Sequence, residues 1–223
     1  MAIPVLIMGR SGSGKTYSLK NFTPEEVGVI SVEKGRLPFR SKIKTVRLPK
    51  FSSEDASYAA INSAKYAWIC NVIAKAKTKS VVIDDSQYLM VNELFDRAAE
   101  KGYDKYTQMA ANFRNLIHYI NELPEEDKIV YSLHHSEADS DGREKVKTIG
   151  KMLDEKLTVE GCFDIVIFCQ DHKFFTQSNG QSTAKTPEDM FPDVEIPNDL
   201  KAVDDAIREY WGLNGGDNAS GSE

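Results

Sequence analysis

Two periodicities alternate along the 223-residue chain. Short unbroken apolar runs, the pattern of strands buried on both faces, occur at residues 3–8 (IPVLIM), 27–32 (VGVISV), 81–84 (VVID), 128–133 (KIVYSL) and 164–169 (DIVIFC). Residues 44–48 (KTVRL) alternate instead, as an edge strand does. Between these runs the pattern turns helical. A helix is expected from near Lys15 until shortly before Pro24. A long one follows from the cap candidates Ser52 and Ser53 and the early acids Glu54 and Asp55 to about Lys77. Residues 87–101 form a third, closed by Gly102, and residues 104–123 a fourth, ended by Pro124. Residues 174–177 and 183–186 flank Ser178-Asn179-Gly180-Gln181, a hairpin signal. Asn198 is expected to cap a last helix running to about Trp211.

Strands alternating with helices predict an α/β fold, a mainly parallel sheet flanked by helices on both faces, with a C-terminal β-hairpin. One domain over residues 1–212 accounts for the pattern. Residues 213–223 lead into a Gly/Ser/Asp-rich stretch without apolar content, expected to be disordered. Composition narrows the class. The chain is 41% hydrophobic, enough for a sizeable core. Its net charge of −6 means that any nucleic-acid surface must be local, in a loop or groove. The three cysteines, Cys70, Cys162 and Cys169, show no CxxC spacing and read as buried thiols in a reducing cytosol. No signal-peptide pattern opens the chain, and no apolar run approaches the roughly 20 residues of a membrane span. The expectation is a cytoplasmic protein without a membrane partner.

The chemistry starts in GRSGSGKT, which matches GxxxxGK[ST] in full between a strand and an expected helix. Gly9, Arg10, Ser11, Gly12, Ser13 and Gly14 can curve their backbone N–H groups around phosphate oxygens. A helix N-terminus would add partial positive charge. Lys15 should reach the β- and γ-phosphates, Thr16 should ligate Mg²⁺, and Tyr17 completes the nucleotide-binding set. The expected cofactors are ATP and Mg²⁺. Asp84, at the tip of the VVID strand, is the second metal-holding residue. Two acids compete to activate the attacking water. Asp85 follows Asp84 directly, where many AAA ATPases carry an acid. Glu33 stands at the tip of the second strand, one strand position away.

Two basic stretches are candidate DNA contacts. In KGYDKY, Lys101, Tyr103, Lys105 and Tyr106 combine phosphate pairing with base stacking, the means of binding single strands without sequence readout. In residues 136–148, a polar stretch expected to be a mobile loop, Arg143, Lys145 and Lys147 alternate as if to follow a phosphate backbone.

The segments GRSGSGKT, ISVEKGRLPFR, VVIDDSQYLM, KGYDKYTQ, KTIGKMLDEKLTVEG and TQSNGQSTAKT together resemble phage-encoded, core-only relatives of the RecA/RadA recombinases. The resemblance implies a RecA-like P-loop ATPase of the single-strand annealing type, working in the host cytoplasm. It implies Glu33 as the residue that polarises water, with Asp85 as the alternative. It also implies a γ-phosphate sensor at the tip of the KIVYSL strand, either His134 or His135. Lys185 would reach the nucleotide of an adjacent subunit in a ring or filament. Single-stranded DNA, further copies of the chain, and a single-stranded-DNA-binding protein or other recombination factor are the implied partners. The phosphate loop begins at residue 9, which leaves no room for an N-terminal polymerisation domain, so full strand exchange is not expected. Two readings compete: an AAA-type remodelling or packaging ATPase, and a nucleotide-gated accessory protein for another recombination factor.

Overall fold

The fold is that of a computed structural model, which describes residues 1–33, 35–51, 56–149 and 158–213. The expected cap at 52–55, the tail at 214–223 and the middle of KTIGKMLDEKLTVEG lie outside the described residues. In chain order the strands are β1 (Ile3–Gly9), β2 (Val27–Ser31), β3 (Lys44–Arg47), β4 (Ser80–Asp84), β5 (Ile129–Ala138), β6 (Glu144–Val146), β7 (Ile165–Gln170), β8 (Lys173–Phe175) and β9 (Glu195–Pro197). The helices are α1 (Tyr58–Lys75), α2 (Tyr88–Asp96), α3 (Asp104–Asn121) and α4 (Leu200–Tyr210). Short 3-10 segments occupy Thr16–Asn21 and Val159–Cys162.

Among the described residues the sheet runs β3-β2-β4-β5-β1-β7-β8-β9, with β6 paired to β5. From β3 to β7 every pairing is parallel. In this order β5 lies between the strand that delivers the phosphate loop and the strand that delivers Asp84. β3 is an edge strand, as its alternation predicts.

The unbroken apolar runs become strands covered on both faces because side chains alternate. Along β1, Leu6 and Met8 enter the core under α1 and α3. Ile3, Val5 and Ile7 enter the core under the 3-10 segment and α4. α3 buries Met109, Phe113, Leu116, Ile117 and Ile120, one stripe at helical spacing. α1 starts at Ser57, whose side chain accepts from the Ala60 N–H. No helix among the described residues is long and apolar enough to cross a membrane.

Four local expectations change. The helix after the phosphate loop is only the 3-10 segment Thr16–Asn21. α2 ends at Asp96, and the carbonyls of Arg97 and Glu100 that follow are closed by the Lys105 ammonium (3.1 and 2.8 Å). The C-terminal hairpin is β7–β8, turning at Asp171 and His172, and not at Asn179-Gly180. Residues 178–182 instead form a compact turn in which Ser178 Oγ donates to the Ser182 carbonyl. Residues 136–148 are not an irregular loop. β5 continues past the end of β1 and pairs antiparallel with β6, Ser136 opposite Val146. Asp139 fixes the turn, its carboxylate accepting from the N–H groups of Asp141 and Arg143, each at 2.9 Å.

Candidate functional site

The phosphate loop, Asp84, Asp85 and His135 meet outside the carboxyl ends of the parallel strands, where α/β sheets bind ligands. They line a cleft of about 300 Å³. Register explains the meeting: Gly9 lies beside His135, and Ser31 beside Asp84. Lys15 is buried and folds over the loop, donating to the carbonyls of Gly9 (2.6 Å) and Arg10 (2.9 Å). Thr16 Oγ1 donates to Asp84 Oδ1 at 2.9 Å. Two oxygens this close fit a shared hard cation such as Mg²⁺. Gly14 has φ 110°, and a Cβ there would collide with Asn198 Nδ2 and His172 Nδ1. Both residues brace the loop, Asn198 through its side chain and His172 through its backbone. Asn198 Nδ2 donates to the Gly14 carbonyl (3.0 Å), and the His172 N–H donates to the Ser13 carbonyl (2.9 Å). Asn198 is therefore a loop support, and the cap of α4 is Asp199, which accepts from Lys201 and Ala202.

The two candidate acids are separated. Asp85 lines the nucleotide cleft in the left-handed region, at φ 60°, a conformation Asp tolerates better than most residues. Its Oδ1 lies 3.5 Å from His135 Nε2, and His135 packs edge-on against Tyr88. Glu33 lines a different cleft, beside Arg47 and Lys65, and accepts from Asn92 Nδ2 at 2.7 Å.

Alternation separates the histidines as well. His135 faces the nucleotide cleft, whereas His134 is buried against Phe113. The His134 Nε2 lies 2.9 Å from the Lys147 carbonyl and its Nδ1 2.9 Å from Ser86 Oγ. In the neutral ring, Nε2–H donates to Lys147 and Nδ1 accepts from Ser86. Burial holds the imidazole down at a pKa of about 4. His134 thus ties the β5–β6 hairpin to the core and does not face phosphate. An unfolded histidine titrates near 6.5. The unfolded chain therefore takes up the proton first as pH falls. The stability held by His134 is complete above pH 6.5 and is lost between 6.5 and about 4. Urea midpoints should fall through this window by an amount equivalent to roughly 3 kcal/mol. A His134→Gln chain, weaker at pH 7, should show a flatter profile. Equal slopes would assign the pH dependence elsewhere.

The candidate DNA residues divide similarly. Lys101 and Tyr103 are exposed, Tyr103 to 86%, while Lys105 is buried and committed to carbonyls. Lys105 therefore presents no cation at the surface. Tyr106 is half-buried beneath it. Arg143 and Lys147 are exposed on the β5–β6 hairpin, and Lys145 is half-buried. Lys185 lies outside its own chain's nucleotide cleft. It is exposed while its backbone exchanges two hydrogen bonds with Val166, well down β7 from the phosphate loop. Arg10, within the loop, pairs with Glu144 on β6, Nε to Oε1 at 2.7 Å. Of the cysteines, Cys169 is buried and its thiol pushed up to about 11, while Cys70 and Cys162 are only half-buried.

Asn92, Glu144, His172 and Asn198 are site residues that sequence reasoning missed. His172 alone lay near a readable signal: four residues separate the apolar run at 164–169 from the extended segment at 174–177, short enough for a hairpin.

No curated protein matches the chain. Among solved structures, a KaiC-like protein from the hyperthermophilic archaeon Pyrococcus horikoshii OT3 aligns at 14% identity. The alignment covers 74% of this chain and 71% of that one, with a TM-score of 0.44. A family model described as an AAA domain matches residues 1–190. The phosphate loop, the Thr16–Asp84 pair and Asp85 all fall within that match, and the chain belongs to this AAA domain family of P-loop ATPases.

Proposed function

We propose that the chain hydrolyses ATP with Mg²⁺ and uses nucleotide state to control its hold on single-stranded DNA, in an annealing or recombination role. The phosphate loop and Lys15 bind the β- and γ-phosphates. Thr16 and Asp84 would hold the cation, which would neutralise charge developing on the phosphate oxygens. Asp85 accepts the proton of the attacking water, and His135 orients Asp85. The chain acts as a ring or filament of copies, in which Lys185 reaches the neighbouring nucleotide. A single-stranded-DNA-binding protein or another recombination factor is a further proposed partner.

The observation that carries the coupling is the pair between Arg10 and Glu144. It joins a phosphate-loop residue to the hairpin bearing Arg143, Lys145 and Lys147. A triphosphate in the loop offers Arg10 a stronger anionic partner, which releases Glu144 and frees the hairpin to move. Exposed Tyr103 and Lys101, on the turn between α2 and α3, supply stacking and phosphate contact.

Anisotropy of a labelled oligo-dT tests this. Binding should tighten about tenfold with a non-hydrolysable ATP analogue over ADP, the low end of allosteric coupling. Affinity should fall with salt, and removing Lys147 should lower the salt slope by about one. Tyr103→Ala should cost about 1–3 kcal/mol. ATP turnover without DNA binding in any nucleotide state would overturn the DNA half and leave the ATPase. The position of Asp85 directly after Asp84 favours the AAA-type remodelling or packaging reading. Turnover stimulated by duplex DNA or by a protein, and not by single strands, would select it.

A further inference from the structure

The nucleotide cleft has two chemically different ends. One carries Asp84, Asp85 and His135. The other is walled by Tyr17 and His172, the latter following β7 on the opposite side of β1 from Asp84. The acidic, metal-holding end suits the terminal phosphates. A nucleotide fixed by its phosphates in the loop between them sends its sugar and base toward the other end.

That end is built for a planar ring. Tyr17 is 37% exposed, one residue beyond Thr16. Its ring stands perpendicular to the His172 imidazole, with centroids 5.6 Å apart at 85°. It meets Phe39 the same way at 6.2 Å and 89°, and the Lys20 ammonium sits 4.7 Å from its centroid. These contacts hold the phenol in place while leaving it open at the cleft mouth.

The backbone under His172 is unusual. Asp171 and His172 both lie in the left-handed region, at φ 48° and 57°. Hairpin turns of this kind favour Asn or Asp followed by Gly. A non-glycine residue there is strained, and such outliers gather at ligand sites. The turn is over-determined because the His172 N–H is bonded to the Ser13 carbonyl. The imidazole also occupies the space a Cβ on Gly14 would need. The strained turn thus sets an aromatic ring against the phosphate loop, facing Tyr17.

We propose that Tyr17 and His172 form the nucleobase subsite, holding the heterocycle by stacking and edge contact and setting the preference for a base-bearing nucleotide over a bare polyphosphate. The assignment rests on the phosphate loop binding a nucleoside triphosphate, so the test separates the two. Calorimetric titrations with Mg·ATP and with Mg·tripolyphosphate are compared for wild type, Tyr17→Ala, Tyr17→Phe and His172→Gly. Glycine suits the positive φ at 172, so His172→Gly removes the ring without adding strain. ATP affinity should fall about tenfold in Tyr17→Ala and in His172→Gly, the range expected for loss of one stacking partner. Tripolyphosphate affinity should stay within about twofold in both, and Tyr17→Phe should keep the ATP affinity. Unchanged ATP affinity in both ring-removing variants overturns the subsite. Equal weakening of ATP and tripolyphosphate also overturns it, since the rings would then be shaping the loop only. If wild type binds neither ligand, the nucleotide reading itself fails and the subsite with it.

Discussion

Asp85→Asn is expected to slow ATP turnover by about 10²–10³-fold, while Glu33→Gln stays within about threefold, with ATP affinity nearly unchanged in both. The expectation follows from position. Asp85 lines the cleft that holds Lys15, Thr16 and Asp84, and His135 lies 3.5 Å from its carboxylate. A base must come within hydrogen-bond reach of the water it deprotonates, or one water away. Asparagine keeps the shape of Asp85, its tolerance of φ 60° and a polar partner for His135, but accepts no proton. Glu33 is held by Asn92 in the neighbouring cleft, beside Arg47 and Lys65. Steady-state phosphate release, with affinity measured separately by titration, separates the chemical step from binding. The reverse result, loss in Glu33→Gln and retention in Asp85→Asn, would return the base to Glu33 and require it to swing from Asn92 once nucleotide binds.

Asp204→Ala should destabilise the fold by about 3–5 kcal/mol without touching the nucleotide cleft. Asp204 is buried on α4, beneath the amino ends of the strands. It accepts from Arg208 Nε (2.7 Å), the Tyr131 hydroxyl (2.8 Å) and Ser80 Oγ. Arg208 also donates to Ser80 Oγ and to the Asp127 carbonyl, each at 2.8 Å. α4 is thereby fastened to β4 and β5 through one carboxylate. Alanine leaves the Arg208 guanidinium buried without its counter-charge, the costly half of breaking such a pair. At 2–4 °C per kcal/mol for a chain of this size, the melting temperature should drop by about 10 °C. Asp204→Leu with Arg208→Met should recover much of the loss, because removing both charges removes the desolvation penalty. A drop below about 1 kcal/mol for Asp204→Ala would mean that water already reaches the network.

The buried strands were legible because a strand covered on both faces leaves an unbroken apolar run, as in IPVLIM and VVID. The phosphate loop and Asp84 were legible because their chemistry depends on local spacing. What failed was local evidence with several physical outlets. Asn179-Gly180 suits a hairpin, but its flanks pair elsewhere, Ser182 and Lys185 with Glu144 and Val166, and Thr176 with Val194. The hairpin formed at Asp171-His172, which no glycine advertises, because the bond to Ser13 stabilises that turn. Asn198 and Asp199 are both good caps, and the closeness of Gly14 draws Asn198 away. Lys105 read as a surface cation, yet the carbonyls at the end of α2 needed a donor.

By itself, the sequence determined that this is an α/β P-loop ATPase core with Lys15, Thr16 and Asp84 at its centre, since hydrophobic period and phosphate-binding spacing are properties of neighbouring residues. Only the tertiary structure decided that His135 and not His134 lines the phosphate-loop cleft, that Asp85 shares that cleft while Glu33 does not, and that Tyr17 meets His172 at its mouth. Those outcomes depend on strand order, register and loop packing, through which residues distant in the chain compete for the same neighbours.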